Sequence, residues 1–592
     1  MKSNAARWIV LLSVVTISSI ALFGGSSVVT NSPGGFNAGL KREVGSGDTQ
    51  GGLLRLGSSA PCDSLDPALT FESWCEVVQR TYSRTLLAFA GRPGSDGLTI
   101  IPDLASGAPE SANNNQVWTF KLRSDVRWSD GSPVTSSDMR RAIERLFDDS
   151  LQSPVPIETL CLFTSCESGK PDYLGPYIIN ASSLSSISTP DPATIVFHLT
   201  RPFSDFPNLL ATPQFAPIEI SRDDSLRASG ATYASNPASN GPFVITVDTP
   251  GSNYSFTKNK FWTQTSDSVR IPRVDSMSWK VFPDSDSTDS ALLAGEIDVK
   301  LNGGLAPKAR DAALADKKQR ELIDNPKMSF VNFLLVSPMS APLDRAPCRD
   351  AIFYALDKAD LQRIRGGSAT ASIAHSMSSP TVLGYDEKYN PYSSGADETG
   401  NLKKAKASLA NCGYPDGFQT KMAYLSLGIG QQIFDSVQKS LARVGIVVDP
   451  AKYDNSSDYF TNGIGSPDNI SSNSIGLAAA GWGPDYSSAL SYWSPIADGR
   501  KIKPTANQNF AQLDNQQINS LLDQLELSKD PGLQAKLNRE IEILVMTESV
   551  YLPYAVDQIV LYRAVQLTNI YTQLALGGQY DLVNIGKRDK MP

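Results

Sequence analysis

The chain has 592 residues, beyond the roughly 250–300 that one hydrophobic core organises, so two or more lobes are expected. Hydrophobic residues make up 41% and charged residues 19%, an ordinary globular composition. The formal charge of -8, with no basic run, excludes nonspecific nucleic-acid binding.

Lys2 and Arg7 precede an apolar run over 8–23, and Gly24, Gly25, Ser26 and Ser27 follow. That order is the layout of a secretory signal. The run is slightly short of the roughly 17–25 residues that span a bilayer. Residues 1–25 are therefore a cleaved signal peptide or an uncleaved N-terminal anchor, and both readings stay open. No other apolar run of spanning length occurs, so the remainder is expected to be soluble outside the cytoplasm. Residues 26–52, rich in Gly, Ser and Asn, predict a flexible tether.

The folded part is expected to start near Leu53. Residues 117–122 alternate bulky and polar side chains as a half-buried strand does, and Asp130-Gly131 supplies turn chemistry. Thr135 to Asp138 then opens a helix over 137–147, with hydroxyls to cap free amides and an acid in the first turn. Further helices are predicted over 346–365, 402–410, 431–444 and 515–548, the last broken near Pro531. Ile433, Val437, Leu441 and Val444 fall at helical spacing and Gly445 ends the run, after which 446–448 reads as a short buried strand. Strands and helices alternate without a repeat, an α/β or α+β pattern. Arg349 and Asp357 read as a solvated face or a structural ion pair.

Six cysteines in an exported chain favour disulfides over metal ligands. Of the fifteen connectivities open to six cysteines, pairing Cys62 with Cys75 and Cys161 with Cys166 closes the shortest loops, and Cys348 with Cys412 is then the pair by elimination. Signals for chemistry are absent. There is no G-x-x-x-x-G-K-[ST] and no G-x-S-x-G, and the one S-x-x-K, Ser255 to Lys258, lacks its companion motifs. His198 and His375 are the only histidines, which removes most routes to a histidine-based catalytic or zinc site. His198 is read as a strand residue facing solvent.

Val117 to Asp138, VWTFKLRSDVRWSDGSPVTSSD, resembles a signature of the large peptide-binding proteins that serve ABC importers, solute-binding family 5. Leu65-Asp66-Pro67, the Ile101 to Ala105 segment, Asn240-Gly241-Pro242-Phe243 and Leu293 to Val299 are similar to further family motifs in the same order. So are Cys348 to Asp357, Asn411 to Phe418 and Gly481 to Tyr486. The resemblance implies an α/β, two-lobed periplasmic-binding-protein-like fold of type II, of the large class with an extra subdomain. It divides the chain into lobe I (53–92 with 233–312 and 553–592), the extra subdomain of lobe I (93–232) and lobe II (313–552), with crossings near 310–325 and near 550. It also implies a monomer without cofactor or catalysis, which captures a peptide and delivers it to ABC permease subunits with a separate ATPase. Membrane association would run only through the N-terminus or the permease. Another solute, such as an oligosaccharide or a nickel chelate, is the alternative, and a secreted hydrolase the rival from another class.

The resemblance further implies that Asp485 receives the peptide's α-ammonium group. On sequence chemistry alone, an aspartate in the Gly483-Pro484-Asp485-Tyr486 turn is a local hydrogen-bonding residue. Trp482 would wall the pocket or fill a core, and Tyr486 belongs to the same segment near the ligand. Phe71 to Trp74 would edge the cleft or pack a helix beside Cys75. His375 falls in a loop that relatives place near the lobe interface, where a ligand contact or a metal chelate would attach.

Overall fold

The computed structural model describes residues 34–167, 169–178 and 182–588. The export segment expected over 8–23 lies outside the described residues. Among the described residues no helix is long and apolar enough to cross a membrane.

The first lobe is built on a five-stranded sheet. Leu53–Ser58 runs parallel to Ser276–Val281 and to Val299–Lys300, while Asn253–Lys258 and Phe243–Thr249 extend the sheet antiparallel. Period-two alternation sets one row inward: Leu54 opposes Met277, Met277 opposes Phe256, and Phe256 opposes Ile245, all buried. Trp279 stacks on Tyr254 at 4.1 Å between ring centroids and takes the edge of Trp74 at 6.0 Å. Trp74 comes from the helix Ser73–Gln79, which the Cys62–Cys75 disulfide ties down.

The segment read as a tether is, from residue 34 on, part of this lobe. The Asn37 amide donates to the Ile323 carbonyl, the Gly39 amide to Asp324, and Val44 pairs with Ile570. Ala38 and Val44 are buried, an apolar anchorage too sparse to stand out among the surrounding Gly, Ser and Asn. Gly39 is required for the approach: a Cβ there would sit 2.5 Å from an Asp324 carboxylate oxygen.

The chain leaves the first lobe after Ile323–Asp324, which pairs with Leu561–Tyr562, and enters a six-stranded sheet at Lys327–Val336. Phe333, Leu334, Leu335 and Val336 are all buried, the continuous apolar run of a central strand covered on both faces. Lys327–Val336 lies between Ile475–Trp482 and Tyr551–Gln558 and pairs antiparallel with each. The second crossing therefore follows Gln558 and not residue 552, because Tyr551 to Val556 is the buried partner of the central strand.

The helix expected over 346–365 is two helices, Ala346–Ala355 and Lys358–Ile364, since Asp357 caps the second by accepting from the Asp360 amide. Arg349 is buried, donating to the carbonyls of Leu343 and Glu548, so it stitches a helix to the chain before the last long strand. The break near Pro531 is as expected, with Asp530 capping Pro531–Thr547. Cys348–Cys412 joins Ala346–Ala355 to the end of Leu402–Asn411, and Cys161–Cys166 closes a short loop, so all three expected pairs are formed.

A third body carries the four-stranded sheet of Glu110–Ala112, Val117–Lys121, Thr194–His198 and Ile187–Asp191. The helix Ser136–Arg145 starts with a capping box of Thr135 and Asp138, and His198 is exposed on its strand, both as the sequence suggests. Two buried ion pairs, Arg145–Asp66 and Arg84–Asp103, fasten this body to the first lobe. Its apolar core, however, runs on without a break into that of the second lobe. The lobes thus meet over a wide front rather than through the crossings alone.

Candidate functional site

Where the three bodies converge they enclose a cavity of about 310 Å³. Phe71 and Glu76 line it from the first lobe, Pro156, Gln214 and Phe215 from the four-stranded body, and Phe330, Asp485 and Tyr486 from the second lobe. The strand Ile475–Trp482 delivers the second-lobe residues, because it ends at this mouth and turns through Gly483-Pro484. Phe330 lies flat on that turn: a Cβ at Gly481 would come within 2.1 Å of its ring, so glycine is what lets the aromatic wall form. Beyond the turn Ser488 caps the helix Ala489–Ala497, and the Ser491 hydroxyl accepts from the Asp485 amide at 3.1 Å.

The Asp485 carboxylate is open to the cavity yet ringed by protein. Burial pushes its proton affinity up, and the nearby charge of Glu158 adds to the shift. Among the described residues no cation and no hydrogen-bond donor meets this carboxylate. Glu76, in the first turn of Ser73–Gln79, is the second acid of the cavity. Its carboxyl is pushed up to about 7 by burial; Gln214 partly offsets this by hydrogen-bonding the charged form, while Asp63 adds repulsion. Tyr486 is half-buried, its hydroxyl held protonated by desolvation and by the acids Asp205 and Asp485.

Of the residues singled out from sequence, Phe71, Asp485 and Tyr486 come together here, whereas Trp482, Trp74 and His375 do not line the cavity. Trp482 is half-buried against the core and donates its indole N–H to the Tyr492 carbonyl at 2.9 Å, which braces the turn from behind. Trp74 is buried under Trp279, because Ser73–Gln79 turns Trp74, Val77 and Val78 inward, while Phe71, just ahead of the helix, stays outside at 70% exposure. His375 follows the edge strand Ala371–Ile373 and faces Glu398 at 3.4 Å. Burial, helped by Lys358 and Lys327, lowers its imidazole to about 4, so it is neutral at physiological pH. Glu76 and Phe330 escaped the sequence reading. An acid inside the otherwise apolar WCEVV stretch was the available signal for Glu76.

Contacts between the four-stranded body and the second lobe flank the cavity. Asp205, buried and pushed up to about 6 by desolvation, accepts from the Ser488 hydroxyl. The Ser204 amide and hydroxyl donate to the carbonyls of Glu526 and Leu525. Arg201 pairs with Glu526, and Lys503 with Glu158.

A cavity walled by aromatics and acids between lobes joined by two crossings has the form of a capture site. Residues 99–504 match the middle region of the bacterial extracellular solute-binding proteins, family 5. The chain belongs to that family. Similarity extends beyond the matched stretch: a clavulanic acid biosynthesis oligopeptide binding protein 2 is 36% identical, with a TM-score of 0.84, over 94% of this chain and 100% of that one. The glutathione-binding protein GsiB of Salmonella typhi is 22% identical over 525 residues, 88% of this chain and 91% of that protein. The periplasmic murein tripeptide binding protein MppA, in its unliganded open form, shares the fold at a TM-score of 0.74 and 18% identity, over 92% of this chain and 99% of that one. The family 5 fold is two-lobed and mixed α/β, as the sequence motifs implied.

Proposed function

We propose that the chain captures a peptide in the cleft between its lobes and delivers it to an ABC import permease whose ATPase is a separate chain. The carrying observation is the Asp485 carboxylate, which lines the cavity partly desolvated and near the charge of Glu158, with no cation of its own among the described residues. An α-ammonium group is common to all peptides with a free amino terminus and would relieve both penalties at once. Names of relatives point the same way, since one binds oligopeptides, one glutathione and one a murein tripeptide. A nickel chelate loses its anchor, because His375 stands away from the cavity. The protein acts as a monomer beyond the cytoplasmic membrane, with no cofactor, no catalysis and no nucleic-acid partner. Lobe closure is the working motion, with ligand contacts from both lobes favouring the closed form.

Calorimetry on ligand-stripped protein, with product analysis of the same samples, tests this reading. One peptide per chain, bound without turnover, is expected. Cleavage of the peptide would show a hydrolase instead, and absence of binding across a peptide panel would remove the proposal.

A further inference from the structure

Peptide capture accounts for Asp485 but leaves Glu76 unused. Both residues line the same cavity, and none of the described residues that line it is Lys, Arg or His. The cations around it are already engaged: Lys503 with Glu158, Arg201 with Glu526, and Arg80 and Arg270, which line an adjoining cavity with Glu76, with Asp581 and Asp103. Neither Glu76 nor Asp485 has an ion-pair partner among the described residues. A ligand with a single positive end would leave Glu76 either charged and unpaired in a partly dry wall or protonated and passive. A ligand that placed its own carboxylate here would set it against two acids with no base to receive it, and like charges at close quarters are strongly disfavoured.

The volume narrows the choice further. About 310 Å³ lies at the small end of ligand pockets, roughly 300–1,000 Å³, so the enclosed part of the ligand is short. The rings of Phe71, Phe215, Phe330 and Tyr486 line the same cavity as the two acids. Such faces cover an aliphatic stem and attract a cation.

Building on the peptide-capture reading, we propose that the cleft selects peptides whose amino-terminal residue is itself basic. The α-ammonium group meets Asp485, the side-chain ammonium or guanidinium group meets Glu76, and the aliphatic stem between them lies on the aromatic faces. Glu76 is then the specificity-determining residue, and the remainder of the peptide leads out toward the mouth.

Two dipeptides of nearly equal size separate the terms: lysyl-alanine, and norleucyl-alanine, which keeps the stem and α-ammonium but lacks the second charge. On ligand-stripped full-length protein at pH 8, lysyl-alanine should bind about tenfold or more tightly, the range expected for hydrogen bonds to a charged group. Glu76→Gln should bring lysyl-alanine down to the level of norleucyl-alanine. If the two bind the wild type equally, or if the variant keeps the preference, the assignment of Glu76 fails while peptide capture stands. If neither dipeptide binds, the capture reading falls with it.

Discussion

Replacing Asp485 by asparagine keeps the shape of the turn and its Ser491 anchor, since that bond is made by the backbone amide, and removes only the charge. Truncating one partner of an enclosed charge pair costs about 2–5 kcal/mol. Asp485 is in contact with cleft water before the ligand arrives, and screening places the expected loss at the low end, about 2 kcal/mol or 30-fold in affinity. The same loss should follow when the wild type is offered the peptide with its amino terminus acetylated. Because one interaction is deleted from either side, the two changes together should cost little more than one alone. Isothermal calorimetry on ligand-stripped protein measures all four combinations. If the acetylated peptide binds the wild type as tightly as the free one, Asp485 does not hold an ammonium group and the argument from its desolvated charge is refuted.

Other expectations follow from groups around the cleft and from the covalent frame. Glu76 is protonated more readily in the folded chain, near 7 against an ordinary 4.5, so its contribution is fully present below about pH 4.5 and is lost as pH rises through 7. Glu76→Gln should therefore raise the melting temperature at pH 8 by about 1–3 °C and leave it nearly unchanged at pH 4; an equal shift at both would refute the burial argument. Ser488→Ala strips the buried Asp205 of a donor only where the four-stranded body and second lobe meet, and should weaken ligand binding about tenfold by disfavouring closure, with unaltered affinity counting against a latch. Removing the Cys348–Cys412 bond frees a loop with a sequence separation of 64 residues and should cost up to about 4 kcal/mol in denaturant unfolding; an unshifted midpoint would contradict this. Cys62, the first cysteine, is engaged with Cys75, so it is not open to lipid attachment and labelled palmitate should not be incorporated by the producing cell; incorporation would overturn this expectation.

Much of the frame was legible because it rests on local chemistry. Thr135 and Asp138 cap a helix through bonds three residues apart, and the Pro531 break and Gly445 stop are equally short-range. The cysteine pairs follow from spacing for two of three. What sequence reasoning missed was set by contacts far along the chain. The tether reading failed on Gly39 and Asp324, 285 residues apart, and no composition window registers such a bond. Trp74 and Phe71 stand three residues apart and were grouped as cleft residues, but Trp279 draws one into the core while the other stays on the cleft side. Phe330 lies within the central strand and would be taken for more core, unless the room left by Gly481 and Gly483 across the sheet were known.

The stretch from Trp482 to Ser491 concentrates several tasks within one turn of chain. Trp482 fixes its base through the Tyr492 carbonyl, Asp485 and Tyr486 face the cavity, and Ser488 both caps the next helix and reaches across to Asp205. The cavity acid Asp485 and the interlobe contact Ser488 are therefore three residues apart on a segment braced at both ends. A shift of Asp485 toward a bound cation must carry Ser488 with it, since Ser491 holds the Asp485 amide and Ser488 the amide of Ser491. On the proposed ammonium contact, coupling between occupancy and closure needs no long path through the lobe: the turn itself would be the element whose position both the ligand and Asp205 bias. It also explains why a carboxylate as costly as Asp205 sits on the opposing face, because it is satisfied by Ser488 when the two faces meet.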